Sequence, residues 1–442
     1  MIGKGWTERP GTAAERLAAE MVDAIVSGRI LPGTILPSQR ALAASAGTSR
    51  STVAAALSEL SRLGWVEPRR QARFVARLPD ASRQPLSPRP ATSHASPERA
   101  RIAAPAAELN EAVARAHSRL HEHLSGDGRT HGGLGELRQL VADRYTAGGL
   151  PTQAEQVAIT NGAMGAFDLT LASTRGPVAV EDPTYHGALE LLRRRQRRTL
   201  AWHSDSDWNF DDLDALFQNQ RPAMLYAVAD FHNPTGRTAN GQQRAQLAEF
   251  ADRSMIVIDE TLRDLNLEPG TTTPPHTASY HPAIVTIGGL SKTIWSGLRI
   301  GWLRFPDVGH DLLETMVDLQ PVPIFEQLVA IELWDQLGDV TAARRRRLRQ
   351  QRDAMSEALT RVGISHQPPQ GGLVYWVDLG QPVADAVATA LNASGHASAP
   401  GTRFSSTGSY LTHIRLPFTA DVDEIDRAVA HLSKVINADH RS

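Results

Sequence analysis

Residues 286–302 read TIGGLSKTIWSGLRIGW, and this stretch decides how the larger part of the chain is interpreted. A short apolar run leads into Lys292, and Arg299 follows seven residues later. Lysine is rare in this protein, because Lys4, Lys292 and Lys434 are the only lysines among 46 basic residues. A lysine amine can attack an aldehyde to form a Schiff base, which a guanidinium cannot do. Lys292 is therefore a candidate for covalent attachment of an aldehyde, although a lone lysine at a strand end is more often a solvated charge.

Apolar runs alternate with helical patterns from about residue 106 onward, and they include QVAIT, PVAVE, AMLYAVA, SMIVID and AIVTIGG. Such alternation predicts a mostly parallel sheet covered by helices, an α/β fold. The segment ITNGAMGAFDL, residues 159–169, leads from one of these runs into a helix. Gly162, Ala163 and Met164 would present backbone N–H groups at the N-terminus of that helix, an arrangement that suits a phosphate.

The stretch around Lys292 resembles the cofactor-lysine motif of fold-type I aminotransferases, which use pyridoxal 5′-phosphate (PLP). The resemblance to class I aminotransferases covers about residues 125–420. It implies an α/β fold-type I domain in which Lys292 forms the Schiff base with PLP. It also implies that Ser291 lies beside the cofactor and that the guanidinium of Arg299 makes a bidentate contact with the cofactor phosphate.

Further motifs of the same family follow in the expected order. In EDPTYHG the resemblance implies that Tyr185 stacks on the pyridine ring, and in DFHNPTG that Asn233 binds the phenolic oxygen. In VIDE it implies that Asp259 pairs with the protonated pyridine nitrogen. In THIRLPF it implies that Arg415 clamps the carboxylate of a bound amino compound, although an ordinary salt bridge is the alternative.

Three departures from the family pattern weaken a catalytic interpretation more than a binding one. Gly289 stands where many relatives carry a phosphate-binding Ser or Thr, three residues before the lysine. The sequence DETL places Thr261 or Leu262 where many relatives carry a tyrosine that binds the phenolic oxygen. The segment GDGRTHGGLGELR lacks a tyrosine that relatives direct to the partner's phosphate, and Arg129 or His131 is a possible substitute.

The front of the chain follows a different pattern. A helix over residues 13–27 is predicted with Leu17, Met21 and Ile25 on one face. Capping serines and terminating glycines then predict two further helices, the second with Val53, Leu57, Leu60 and Leu63 facing inward. Two short strands, GWVEP and RFVAR, complete a winged helix-turn-helix, a mainly α unit. An ordinary three-helix bundle is the alternative.

The second helix of such a unit enters the major groove with its N-terminal residues at the bases. The candidate DNA-binding residues lie on this helix, on the preceding helix and on the wing: Arg40, Ser49, Arg50, Ser51, Thr52, Arg69, Arg70 and Arg73. Residues 27–67 resemble the GntR-type DNA-binding domain over their whole length. The wing tip, RRQAR, departs from that family, whose wings usually carry glycine there.

Composition agrees with a polyanion partner for the front of the chain. Residues 1–105 carry 15 basic and 8 acidic residues, whereas the remainder of the chain carries 31 basic and 40 acidic residues. The front is therefore basic and the rest is acidic. The chain has no cysteine, which excludes disulfides and cysteine-based metal sites and permits a cytoplasmic location. No apolar run approaches the ~20 residues of a membrane helix, and the N-terminus does not resemble a secretory signal.

A GntR-type winged helix fused to an aminotransferase-like domain is the layout of the MocR regulators, and DETL together with GGLSKTIWSGLRIGW resembles the YczR-like branch. We predict a winged helix over residues 10–78, a linker over 79–105 and a PLP-binding effector and dimerisation domain over 106–442. The resemblance implies a homodimer that binds operator DNA and senses PLP or an amino compound through an aldimine at Lys292. A working aminotransferase and a cofactor-free regulator are the alternatives.

Overall fold

The computed structural model describes residues 4–9, 11–69, 73–77, 106–204, 208–305 and 321–439. The predicted linker, residues 79–105, lies outside the described residues, as do Arg70 and the side chain of Arg73. Among the helices that are described, none is long and apolar enough to cross a membrane.

The front of the chain, of which residues 11–69 and 73–77 are described, is a winged helix-turn-helix, which we call the reader. It consists of α1 (Ala13–Val26), α2 (Gln39–Ala46), α3 (Arg50–Arg62) and an antiparallel hairpin of β1 (Val66–Arg69) and β2 (Arg73–Ala76). The predicted caps are confirmed: the hydroxyls of Ser38 and Ser49 accept from backbone N–H groups in the first turns of α2 and α3. Gly47 ends α2 in the left-handed conformation that favours glycine.

Apolar side chains from all three helices fill the core of the reader. Leu17, Met21 and Ile25 are buried as predicted, and so are the inward positions of α3 apart from Leu63. The prediction for Leu63 was wrong, because its side chain is 46% exposed. The helix ends at Arg62, and the chain then turns away at Gly64, so the helical period no longer places Leu63 on the inner face.

The larger part of the chain is built on a seven-stranded sheet with the strand order β3-β9-β8-β7-β6-β4-β5. The antiparallel strand β9 lies between β3 and β8, and the remaining pairs are parallel, which confirms the mostly parallel α/β prediction. The strands are β3 (Val157–Asn161), β4 (Val178–Asp182), β5 (Thr199–His203), β6 (Met224–Ala227), β7 (Met255–Asp259), β8 (Val285–Gly289) and β9 (Ile300–Arg304).

Helices cover this sheet, and a smaller unit follows it along the chain. The helices of the large domain are α4 (Ala106–Arg119), α5 (Gly135–Ala147), α6 (Gly162–Ser173), α7 (His186–Arg194), α8 (Phe210–Gln220), α9 (Gly241–Ala248), α10 (Ile324–Trp334), α11 (Leu337–Arg361), α12 (Ala384–Ala393) and α13 (Val422–Asp439). The smaller sheet has the order β10-β12-β11, with β10 (Val374–Asp378), β11 (Ala399–Pro400) and β12 (His413–Pro417). Its core, which includes Leu348, Tyr375 and Phe418, is separate from the two apolar layers around the large sheet.

Candidate cofactor site and nucleic-acid face

The carboxyl ends of the parallel strands meet at one edge of the large sheet, where ligands of open α/β sheets bind. This edge contains the ends of β3, β4 and β7, namely Asn161, Asp182 and Asp259. Lys292 follows the end of β8, and Arg299 immediately precedes β9, which begins at the same edge. The topology therefore gathers segments that are far apart in the sequence at one edge.

Glycines and one arginine shape the start of α6. Gly162 has a φ of +69°, and a Cβ atom there would lie 3.1 Å from a guanidinium nitrogen of Arg299. Arg299 donates a 2.8 Å hydrogen bond to the backbone oxygen of Asn161. A Cβ on Gly301 would lie 2.5 Å from the backbone nitrogen of Ala163, so a side chain at that position is excluded. The first N–H groups of a helix have no partner within the helix, so this cradle suits a phosphate.

The same close packing explains one of the departures from the family pattern. A Cβ on Gly289 would lie 3.1 Å from the backbone oxygen of Ile300, in the neighbouring strand β9. The phosphate-binding Ser or Thr of many relatives would therefore require β9 to shift by a few tenths of an ångström. Arg299 and the first turn of α6, including Met164, remain as the candidate phosphate groups.

Asp259, at the end of β7, is 5% exposed and is held by three donors. The hydroxyl of Tyr226 donates to Oδ2 at 2.7 Å, while the backbone N–H and the hydroxyl of Thr261 donate to Oδ1 at 2.9 and 2.7 Å. Burial and the nearby Asp259 charge raise the pKa of Tyr226 well above its ordinary value, so that Tyr226 stays a donor. A fixed carboxylate at this depth suits a cationic ring nitrogen.

Tyr185 and Arg415 are linked through Phe404. The backbone N–H of Thr184 donates to the oxygen of Phe404 at 2.8 Å, so the segment that carries Tyr185 is tied to the small unit. The guanidinium carbon of Arg415 lies 4.9 Å from the centre of the Phe404 ring. Arg415 is 5% exposed and lies in β12. The segment that carries Tyr185 and the guanidinium of Arg415 therefore both contact Phe404.

The remaining predicted cofactor residues lie in loops after the strands. Oδ1 of Asn233 is buried and has no hydrogen-bond partner within the described part of the chain, as expected of an amide reserved for a ligand. Ser291 and Lys292 are half-buried, and the backbone oxygen of Lys292 accepts a 2.7 Å hydrogen bond from Nε of Arg344 in α11. The orphaned amide, the glycine cradle and the fixed carboxylate all fit PLP.

The predicted DNA-binding residues that the structure describes are distributed over α2, the start of α3 and the wing strands of the reader. Arg40, Arg50 and Arg69 are exposed, and none has an ion-pair partner among the described residues. By contrast, three other arginines of the reader, Arg29, Arg62 and Arg77, are paired with carboxylates, and so is Arg9, which precedes the reader. The hydroxyl of Ser49 caps α3 and also lies within hydrogen-bond distance of Ser51 and Thr52, so these groups first support the helix end.

Sequence reasoning missed two residues of the candidate site. Tyr226 was assigned to an apolar strand, and the only signal was a single hydroxyl within AMLYAVA. Arg344 belongs to the run RRRR on α11, and nothing in that run distinguishes the one arginine that reaches the lysine loop. Each of them forms a hydrogen bond to a predicted site residue, Tyr226 to Asp259 and Arg344 to Lys292, and each bond joins elements that are distant in the sequence.

Comparison with known proteins identifies the class of this chain. Residues 92–432 match the family described as aminotransferase class I and II, and residues 13–75 match the gntR family of bacterial regulatory proteins. The first match spans more than half of the chain, so the protein belongs to the aminotransferase class I and II family. With the gntR match in front of it, the chain has the domain arrangement of the MocR regulators, and its cofactor is PLP. The assignment to the YczR-like branch stays a prediction.

Individual relatives include both regulators and enzymes. The chain is 26% identical to YdcR, an uncharacterized HTH-type transcriptional regulator of Escherichia coli K12, over 96% of this chain and 98% of that protein. It is 27% identical to the 2-aminoadipate transaminase of Thermus thermophilus, over 69% of this chain and 80% of that one. The solved structure of LysN, the alpha-aminoadipate aminotransferase of T. thermophilus complexed with N-(5′-phosphopyridoxyl)-L-leucine, is similar with a TM-score of 0.68. It is 26% identical and covers 76% of this chain and 89% of that chain.

Proposed function

We propose that this transcription regulator holds PLP covalently on Lys292 and that PLP, or an amino compound that reacts with it, controls its binding to operator DNA. The observation that supports DNA binding is that three exposed arginines of the reader have no carboxylate partner among the described residues. Arg40, Arg50 and Arg69 are exposed without carboxylate partners among the described residues, whereas Arg62, on the same helix as Arg50, is paired with Glu59. Unpaired arginines at the start of a recognition helix are available for phosphates and base edges.

The chemistry that PLP supplies when bound is an aldehyde that forms a covalent imine with a primary amine. The protein's own residues would supply the rest. The cradle of Gly162, Ala163, Met164 and Arg299 would hold the phosphate, and Asp259 would pair with the ring nitrogen. Arg415 would bind the carboxylate of the amino compound by a bidentate contact. Tyr185 and Asn233 would orient the ring from its face and its phenolic oxygen, and Ser291 would lie beside it.

We further propose that two such chains form the DNA-binding unit, because the family resemblance implies a homodimer. A ligand can shift the equilibrium between two conformations only by its difference in affinity for them. The ligand of this protein must therefore bind more tightly to one arrangement of the readers than to another.

The test uses full-length protein and a duplex selected from a random library by the protein itself. Fluorescence anisotropy gives the duplex affinity of the PLP-free protein, of the PLP-loaded protein and of the loaded protein with a panel of amino acids and amines. We expect the affinity to change about fivefold or more between at least two of these states, the lower end of typical allosteric coupling. Equal affinity in every state would contradict ligand control, and absence of any selected duplex would contradict the regulator function itself.

A catalytically active aminotransferase is the second candidate. The similarity to 2-aminoadipate transaminase favours it, since that enzyme is 27% identical over 69% of this chain. Steady-state turnover of amino donor and oxo-acid pairs would distinguish the two functions. The proposed regulator predicts that no pair sustains useful turnover.

A further inference from the structure

The reader contacts the large domain of the same chain at the end of α1. The backbone N–H of Leu411 donates to the oxygen of Val26 at 3.1 Å, and the side chain of Leu411 packs on the reader's apolar core. Two residues further along the reader, Gly28 lies against the ring of Tyr410. A Cβ at Gly28 would lie 2.3 Å from Cε1 of that ring, so the fit leaves no room for a side chain.

Tyr410 is fixed in place from several directions. It is fully buried, and its backbone has a φ of +66°, which non-glycine residues rarely adopt. A Cβ on Gly401 would lie 2.3 Å from the backbone oxygen of Tyr410, so the chain is closely packed there as well. The phenol donates a 2.6 Å hydrogen bond to the backbone oxygen of Asp182. Tyr410 therefore cannot move independently of Gly28 on one side and Asp182 on the other.

Asp182 belongs to the candidate cofactor site. It is the last residue of β4 and stands three residues before Tyr185, the predicted stacking residue. Its Oδ2 accepts from the backbone and the hydroxyl of Ser406 at 2.9 and 2.8 Å, which joins the strand end to the loop that leads to Tyr410. Through Thr184, the same segment is bonded to Phe404, against which Arg415 lies.

We propose that Gly28, Tyr410 and Asp182 form the joint through which the large-domain site sets the position of the reader. This inference rests on the proposed control of DNA binding by PLP or an amino compound. A ligand that moves the segment from Asp182 to Tyr185 displaces the acceptor of the Tyr410 phenol. Because Gly28 leaves no gap beside the ring, the displacement is transmitted to the end of α1. Closely packed interfaces deform little, so a small shift on one side moves the neighbouring element from one arrangement to another.

Amide hydrogen exchange on the full-length protein tests the joint, because the Leu411 amide bonds directly across the two domains. In the wild-type protein, loading with PLP should change the exchange rate of the Leu411 amide and of the segment 24–30 by about fivefold or more. Tyr410→Phe keeps the ring but removes the bond to Asp182, so PLP should still bind while this change is lost. Tyr280→Phe, a half-exposed tyrosine outside the joint, should behave as the wild type.

Two outcomes would overturn the joint. One is a Leu411 amide that does not respond to PLP in the wild type, and the other is an equal response in Tyr410→Phe. Both outcomes are measured by hydrogen exchange in the absence of DNA. Circular dichroism shows that each protein is folded, and visible absorbance shows that it is loaded with PLP. If the exchange response is present and is lost in Tyr410→Phe, but the wild type binds the selected duplex equally with and without PLP, the joint stands and PLP control of DNA binding fails.

Discussion

The hydroxyl of Tyr226 lies 2.7 Å from Oδ2 of Asp259, and the bond joins the neighbouring strands β6 and β7 beneath the candidate cofactor site. The ring of Tyr226 also packs on Phe167, with 4.5 Å between the ring centres. Tyr226 therefore fixes the carboxylate that would pair with the ring nitrogen of PLP, and it does so from a buried position.

Tyr226→Phe should weaken PLP binding by about tenfold, since a hydrogen bond to a charged group contributes about 1.5–3 kcal/mol and Thr261 still holds the other oxygen. Titration of the PLP-free protein, followed by visible absorbance, measures the affinity. Tyr375→Phe is the matched control, because Tyr375 is equally buried but donates to the backbone oxygen of Arg352 in the small unit. Equal PLP affinity in the two variants would show that Tyr226 has only a packing role.

The second prediction concerns the attachment residue. Borohydride reduction of the PLP-loaded protein should fix the cofactor to Lys292, and mass analysis of peptides should find the adduct there. Lys292→Ala should lose the adduct, because the sequence has no other lysine near the end of β8. Lys434→Ala, which removes an exposed lysine on α13, should retain it. An adduct on Lys434 or Lys4 in the wild type would refute the assignment.

The third prediction concerns DNA recognition. Arg50→Ala should cost about 1–3 kcal/mol of binding to the selected duplex and relax the sequence preference at one position. Arg69→Ala should weaken all sequences similarly and reduce the salt dependence by about one phosphate contact. Arg62→Ala is the control, because Arg62 lies on the same helix but is paired with Glu59. If Arg50→Ala and Arg62→Ala bind alike, α3 does not read the bases through Arg50.

The parts of this fold that follow from short-range chemistry were predictable from the sequence. The capping hydroxyls of Ser38 and Ser49 and the terminating Gly47 act within one helical turn, and all three lie where the sequence indicates. The apolar runs became strands for the same local reason. Leu63 marks the limit of such reasoning, because the helix ends one residue earlier and the periodic pattern cannot show that.

Contacts between distant segments could not be predicted in this way. Tyr226 bonds to Asp259 across 33 residues, and Tyr410 bonds to Asp182 across 228. Each depends on which strands are neighbours and on which loop closes over a strand end. A tyrosine in an apolar run looks like a core residue until its partner is known. The family resemblance indicated which residues contact the cofactor, but it did not indicate which other residues fix those side chains and segments in place by hydrogen bonds.

The fourth prediction concerns the dependence of stability on pH through Asp182. Burial raises the pKa of this carboxyl to about 6, although Ser406 and its neighbours donate to it. Between about pH 4 and pH 6 the folded chain therefore holds a proton that the unfolded chain has lost. Asp182 makes the folded state less stable as the pH rises through this window, and the contribution levels off above it.

Asp182→Asn should remove this dependence, because its amide is neutral at every pH. The stability of the variant relative to the wild type should improve by roughly 2.5 kcal/mol between pH 4 and pH 7, given about 1.4 kcal/mol for each pKa unit over the whole shift, a small part of which falls below pH 4. Thermal unfolding at a series of pH values measures the difference. The exposed Asp423→Asn provides the control. A constant difference between Asp182→Asn and the wild type at all pH values would contradict a raised pKa in the folded state.

The last prediction is that the protein binds amino compounds without useful turnover, and it rests on Thr261 and Leu262. Many relatives carry a tyrosine donor to the phenolic oxygen at this point of the chain. Here the hydroxyl of Thr261 already donates to Asp259 at 2.7 Å, and Leu262 is buried in the apolar core of the small unit. Neither residue replaces the tyrosine, so Asn233 would orient the phenolic oxygen without it.

Binding needs only that the amino compound reaches the carbon through which PLP is joined to Lys292 and that Arg415 holds the carboxylate, whereas proton transfer needs a ring and a lysine that are closely aligned. A displacement of about 1 Å costs on the order of 100-fold in such a step. Mixing the PLP-loaded protein with a panel of amino acids and amines should therefore change its absorbance rapidly for some members. Formation of pyridoxamine 5′-phosphate, measured by chromatography, should be about 100-fold slower. Rapid and repeated turnover with any amino donor and oxo-acid pair would establish an enzyme instead, because the loss of the tyrosine would then have been compensated.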